Sequence, residues 1–330
     1  MNEELQQLIA RLRSLREEIS KVIVGQTETI DQLLITFLAG GHALLEGVPG
    51  LAKTLMIRTL AEAIDLRFRR IQFTPDLMPS DIIGTEILEE DHSTGKRFFK
   101  FNKGPIFANI ILADEINRTS PKTQSALLEA MQEFKVTYAG TTYPLDQPFF
   151  ILATQNPIEQ AGTFPLPEAQ LDRFLLFIRI NYPDAADEEM ILKNTTGARN
   201  PEINKILDGK MIITAQRLVR DVHISDNLIG FVSNIVRATR PASSEAQAVK
   251  DFVRWGAGPR AGQAMVLTAK ARALLSGRYA VTPEDIEHVA YPVLRHRVLL
   301  NFKAEAEGIE PDSITRQLLA HCRKMLKASV

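Results

Sequence analysis

The stretch "LLEGVPGLAKTL" (Leu44 to Leu55) differs by one residue from a phosphate-binding loop. That loop reads G-x-x-x-x-G-K-[ST]. Gly47 opens it and Lys53-Thr54 closes it, but Ala52 stands where the second glycine belongs. "ALLE" before it reads as a strand and "KTLMIRTLAEAI" after it as a helix. A helix starting directly after a strand aims backbone N–H groups and its positive dipole end at an anion. Residues Gly47, Val48, Pro49, Gly50, Leu51, Ala52, Lys53, Thr54 and Leu55 are therefore expected to cradle nucleotide phosphates. Lys53 would reach the β- and γ-phosphates, and Thr54 would hold Mg²⁺ through its hydroxyl. A left-handed backbone costs a non-glycine residue about 1–2 kcal/mol. Ala52 is accordingly expected at negative φ, already helical, with Gly47 and Gly50 carrying the turn.

Working outward, "FRRIQF", "NIILADE", "FFILATQN" and "LLFIRI" are short β-rich runs. Their apolar residues are mostly continuous, not alternating, which suits a parallel sheet covered on both faces. With the strand before the loop they predict a five-stranded, doubly wound α/β domain. Residues 3–19 and the segment through "TIDQLLITFLAGG" have helical periodicity. Two segments interrupt the alternation, 85–104 around Ser93-Thr94-Gly95 and 134–145 around Ala139-Gly140, and both read as β-hairpins. Past Pro183 the strand signal fades into helices. One of them is announced by Thr282-Pro283-Glu284-Asp285, a cap, a first-turn proline and an acid at the third helical position. The expected division is an α/β nucleotide-binding domain over 1–184 and an all-helical lid over 185–330.

Three further segments add chemistry. "IILADE" is a buried run ending in Asp114-Glu115. Asp114 at such a strand end would face Mg²⁺, and Glu115 beside it would polarise an attacking water. "FFILATQNP" ends in Asn156, an amide placed to help hold that water, although Asn-Pro is also a common turn pair. "LPEAQLDRF" carries Arg173 just before the last strand, where it could reach a neighbouring subunit's phosphate or form a surface ion pair. Arg260 in "GAGPRAG" lies in the first turn of a lid helix. Cations do not favour that position, so an anion is expected nearby. Val24 and Gly25 in "VIVGQ" could edge an adenine ring. No N-K-x-D string supports guanine.

The chain's net charge of −1 provides no global basic field for nucleic acid or an anionic membrane. Lys96, Arg97, Lys100 and Lys103 make only the first hairpin locally basic. The single cysteine, Cys322, excludes an internal disulfide and fits a reducing compartment. No run of about 18 apolar residues predicts a membrane span. One cysteine and scattered histidines argue against structural zinc.

The segments "IVGQ", "EGVPGLAKT", "ADEINR", "KTQSALLEAMQE", "ATQNP", "LPEAQLDRF" and "GPRA" together resemble the AAA+ ATPases, the MoxR branch in particular. The resemblance covers about residues 20–300. It implies that Lys53 and Thr54 match Walker A, Asp114 and Glu115 Walker B, and Asn156 sensor 1. Arg173 matches the arginine finger and Arg260 sensor 2, with Arg118 a candidate for contact between subunits. It also implies ATP and Mg²⁺ as cofactors, a cytoplasmic ring, often a hexamer, and remodelling of a partner protein. That partner is expected on another chain, often one with a von Willebrand factor A domain, since no D-x-S-x-S motif occurs here. Both hairpins would face the ring's channel. Ala52 looks normal for this branch. A scaffold with little hydrolysis, a DNA-dependent motor or a magnesium-chelatase-like subunit are the alternatives.

Overall fold

The computed structural model describes residues 3–90, 92–93, 95–158, 162–197 and 201–328. Among the described residues nine strands occur before residue 180: β1 (Ala43–Glu46), β2 (Phe68–Gln72), β3 (Gly84–Glu90), β4 (Arg97–Lys103), β5 (Ile110–Asp114), β6 (Lys135–Tyr138), β7 (Thr141–Pro144), β8 (Phe150–Gln155) and β9 (Leu176–Arg179). Five of them form one sheet in the order β2-β5-β8-β1-β9, with every pairing parallel. The strand carrying "ALLE" is thus interior, and the loop after it opens on the sheet's carboxyl edge.

Side chains alternate across the sheet, and both faces are covered. On one face Ala43, Leu45, Ile110, Leu112, Phe150 and Leu152 pack with the helices Glu3–Ser20, Thr27–Leu38 and Lys53–Ala63. On the other, Leu44, Ile111, Ala113, Ile151 and Ala153 pack with Leu127, Leu128 and Met131 of the helix Pro121–Glu133. This double burial accounts for the continuous apolar runs.

Both expected hairpins are present. β3 pairs antiparallel with β4 from Gly84↔Lys103 to Glu90↔Arg97; of its turn residues, Thr94 lies outside the described residues. Between β6 and β7, Ala139 and Gly140 both have positive φ (47° and 79°), as a two-residue turn matched to the strand twist requires. The hairpins meet through Phe101, whose ring stacks on Tyr143 with centroids 4.4 Å apart.

Past residue 183, the helices Gly209–Asp221, Asp226–Ala238, Pro259–Leu275, Pro283–Leu294 and Pro311–Ala328 lie where periodicity places them. The helices Ala185–Thr195, Gln247–Phe252 and Phe302–Ala306 and an antiparallel ribbon of β10 (Val253–Trp255) and β11 (Leu299–Leu300) were not anticipated. Most of these are too short to show a period, and Ala185–Thr195 buries no residue. Thr282 and Asp285 form the reciprocal cap. Asp285, fully buried, also accepts from Arg272 and Arg278. Among the described residues no helix is long and apolar enough to cross a membrane.

Candidate functional site

Lys53 is the first helical residue after the loop, and Ala52 caps it at φ 55°, ψ 23°. The expectation of negative φ at Ala52 is overturned: Gly50 (φ 89°) and Ala52 are both left-handed. Ala52 is exposed, so no packed neighbour resists its Cβ. A left-handed residue running into helical ones turns successive N–H groups toward one concavity, the form of an anion nest. The strain at Ala52 is therefore the local cost of a geometry suited to phosphate. Gly47 packs against Ile180, where a Cβ would sit 3.2 Å from the isoleucine's own. Lys53 Nζ donates to Gly47 O at 2.8 Å, closing the loop on itself. Burial lowers the Lys53 pKa, and the negative charges of Asp114 and Glu115 oppose that shift. Leu55, two residues along the helix from Lys53, is exposed.

Asp114, buried at the end of β5, accepts Thr154 Oγ1–H on Oδ1 at 2.6 Å. Its Oδ2 accepts from Arg70 Nη2 at 2.7 Å and Nε at 3.0 Å. Glu115 leaves the strand at φ 57°. Its N–H donates to the same Thr154 hydroxyl at 2.9 Å. On its carboxylate, Oε2 accepts from Gln72 at 2.9 Å and Arg118 at 2.9 Å. Thr154 thus ties both acids to the neighbouring strand. Arg118 bonds to Glu115 of its own chain. Arg70, Gln72 and Thr154 were missed in the sequence. The only available signal was a polar residue inside an otherwise apolar run, as for Thr154 in "FFILATQN".

Asn156 follows β8 and is buried. Its Oδ1 accepts the Ile158 N–H at 3.2 Å, which is the turn role the Asn-Pro pair allows. The side-chain NH₂ is the group that could address a ligand. Gly47 N–H donates to Gln155 O at 3.4 Å. On adjacent strands β5, β8 and β1, the carboxyl ends therefore present Asp114, Asn156 and Gly47 side by side. Val24 and Gly25 lie beside this edge. Gln26 Nε2 donates to Asn181 O at 3.1 Å, and Gly25 (φ 74°) abuts the Asp187 side chain so closely that a Cβ would force it to shift. Gly25, Gln26, Arg179 and Tyr182 line a cleft of about 310 Å³ there.

Arg173 and Arg260 are elsewhere. Arg173 is exposed and precedes β9, while Leu175 N–H donates to the carbonyl of His42, the residue before β1. This is the amino edge of a parallel sheet. From Ala43 to Gly47 the chain rises about 13 Å at roughly 3.3 Å per residue. Arg260, at the start of the helix Pro259–Leu275, lies 3.6 Å from Asp172. Asp172 is thus the anion near that helix start. His42, Arg173 and Arg260 line one cleft of about 250 Å³. The structure therefore gathers Gly47–Thr54, Asp114, Glu115 and Asn156 at one edge, and Arg173 with Arg260 at the other.

The donor set at the carboxyl edge suits a hard cation held partly by phosphate. Mg²⁺ takes one or two protein oxygens and completes its shell with phosphates and waters. Asp114 and the Thr54 hydroxyl would supply the protein oxygens. Among the described residues no group of three or more His, Cys, Asp or Glu side chains could hold a metal by itself. Asp114 Oδ2 already attracts one cation, Arg70.

Residues 42–176 match the ATPase family associated with various cellular activities, and residues 245–318 match the AAA lid domain. The chain is 43% identical over 303 residues to Chaperone MoxR1 of Mycobacterium tuberculosis, covering 92% of this chain and 79% of that one. It is 44% identical over 305 residues to the uncharacterized protein YeaC of Bacillus subtilis, covering 92% of each. A crystal structure from Cytophaga hutchinsonii superposes with a TM-score of 0.89 at 46% identity, covering 96% of each chain.

Proposed function

Because the chain belongs to the MoxR family of AAA ATPases, we propose that it binds ATP with Mg²⁺ at the carboxyl edge of the sheet. We further propose that it hydrolyses ATP in a ring of its own copies, a hexamer, to remodel a partner protein. The observation that carries this reading is the separation of the two charged groups. Lys53, Asp114 and Glu115 stand at one edge, and Arg173 and Arg260 at the opposite edge. Arg173 and Arg260 of one copy would therefore serve the phosphates held by the next. That supports reading the assembled site as shared.

In this reading the N–H groups of residues 47–54 and the Lys53 ammonium bind and orient the phosphates. Asp114 and Thr54 hold Mg²⁺, which when bound neutralises phosphate charge. Glu115 takes the proton of the attacking water, its backbone held by Thr154 and its carboxylate by Gln72 and Arg118. The Asn156 amide positions that water. Arg173 and Arg260 from the neighbouring copy stabilise charge developing on the γ-phosphate, a contribution of about 10³–10⁵ in rate in the best cases. Val24 and Gly25 border the base. Residues 1–184 act as the nucleotide-binding domain and 185–330 as the lid. We place the protein in the cytoplasm, with a von Willebrand factor A domain protein as its partner.

Three of the first hairpin's four cations, Arg97, Lys100 and Lys103, have partners within their own chain, which does not favour a nucleic-acid role. Arg97 pairs with Glu90 at 3.0 Å, Lys100 with Glu89 at 3.0 Å, and Lys103 lies over the Phe107 ring.

The test is ATPase rate against protein concentration. Specific activity should rise with assembly. Glu115→Gln should bind ATP and lose turnover. Arg173→Ala should lose turnover while the monomer's ATP affinity is kept. Activity per copy independent of concentration would count against the shared site.

A further inference from the structure

The residue before Arg173 is held by the lid. Arg297, just past the helix Pro283–Leu294, is buried, with its side chain 4% exposed. Its Nε donates to Asp172 Oδ1 at 2.7 Å and its Nη2 to Asp172 O at 3.3 Å and Phe174 O at 2.8 Å. Its Nη1 donates to Leu175 O at 3.2 Å and Val293 O at 2.7 Å. His296 Nε2 donates to Phe174 O at 3.1 Å, and Arg295 Nη1 to Phe177 O at 3.1 Å. Three consecutive side chains of the lid thus bind the backbone on either side of Arg173 and into β9. Arg173 itself takes no part and stays exposed. Asp172 has a second cation, Arg260, at 3.6 Å. One carboxylate therefore joins the segment bearing Arg173 to the first turn of the helix bearing Arg260.

A guanidinium uses its planar fork to fix several acceptors in one geometry. A buried arginine with this many partners does not drift, so Asp172 is fixed first and Arg260 is oriented from it. We infer that Arg297, acting through Asp172, is a positioning residue that presents Arg173 and Arg260 as one two-part receptor for a neighbouring copy's triphosphate. The inference rests on the shared-site reading above. It adds that the arginine edge is set by the lid, so lid and Arg173 move together.

Mixing copies tests it. Copies with Arg173→Ala retain the loop and the acids, and copies with Glu115→Gln retain the arginines. Neither should turn over alone, and a mixture should. Asp172→Asn is then added to the Glu115→Gln copies and, separately, Arg297→Lys. Folding is followed by thermal melting and assembly by light scattering. The expected result is at least a tenfold weaker rescue by copies that still melt cooperatively and assemble. The loss should fall on kcat more than on KM for ATP, because ATP sits mainly on the unaltered loop of the other copy and the arginines act most on charge that develops in the transition state. Rescue equal to that by Glu115→Gln alone overturns the positioning role. Weakened rescue that only tracks lost folding or assembly in both variants also overturns it, since the contact is then merely structural. No rescue even by Glu115→Gln copies overturns the shared-site reading, and this inference with it.

Discussion

Replacing Ala52 by glycine should stabilise the protein, against the usual direction of that change. Ala52 sits at φ 55° with its side chain in solvent, so the substitution removes a conformational strain and no packing. Relief of the left-handed backbone is worth about 1–2 kcal/mol. The extra freedom of an unfolded glycine costs about 0.4–1 kcal/mol. The difference is a gain of roughly 0–1.6 kcal/mol, centred near 0.8. Glycine is also no worse than alanine at a helix N-cap. Were the residue helical, the same substitution would cost about 0.5–1 kcal/mol. The two conformations thus give opposite signs. Urea unfolding of the nucleotide-free protein at low concentration measures the difference. Ala52→Val, a β-branched residue in the same conformation, should be less stable than the parent. The order of midpoints should run from Ala52→Gly, through the parent, to Ala52→Val. A fall of about 0.5 kcal/mol or more in Ala52→Gly would refute the left-handed assignment and the nest built on it.

Thr154→Val removes the hydroxyl shared by Asp114 and the Glu115 N–H. It should cost about 1–3 kcal/mol through unpaired buried groups, read as a urea midpoint. Turnover should fall by about tenfold or more as the acids lose their register; unchanged turnover would remove Thr154 from the site. His42 is buried, accepts the Ile151 N–H on Nδ1 and donates from Nε2 to Met131 O. Burial lowers its pKa from 6.5 to about 4, against the opposing bond to Met131. The unfolded chain therefore takes up the proton first, and stability falls as pH drops from 6.5 toward 4. The stability difference between parent and His42→Gln should shrink by about 3 kcal/mol across that window; a constant difference would exclude the effect. Burial pushes the Asp285 pKa up, but the bonds from Arg278, the Thr282 N–H and Arg272 outweigh it and hold it below 3.8. Asp285→Asn should cost about 1–3 kcal/mol near neutral pH, since Arg272 and Arg278, left without the carboxylate, still reach solvent. The deficit should persist above pH 3.8 and fade below it, where the unfolded chain takes up the proton before the folded parent does. A deficit that fades already above pH 5 would contradict this.

What could be read in the chain was local or periodic. Gly47, Lys53 and Thr54 stand within one loop, Asp114 and Glu115 are consecutive, and continuous apolar runs at β5 and β8 report a sheet covered on both faces. Spacing alone also located Thr282 and Asp285, because a helix cap is made by residues three apart. The φ of Ala52 was not legible. Average propensity charges alanine for a left-handed turn, whereas the folded loop bears that charge where no Cβ contact adds to it. Arg70, Gln72 and Thr154 come to the acids from neighbouring strands, a proximity set by strand order. Arg118, which looked outward in sequence, turns back to Glu115. Arg173 and Arg297 are far apart in the chain, and only lid packing makes the second an anchor for the segment holding the first. The sequence by itself determined the loop, the acid pair and the strand and helix pattern, because backbone hydrogen bonding and apolar periodicity act over a few residues. Only the tertiary structure decided that the arginines face away from their own phosphate loop. The direction of a parallel sheet puts residues before a strand and residues after it on opposite edges, and no spacing along the chain records which strands lie side by side.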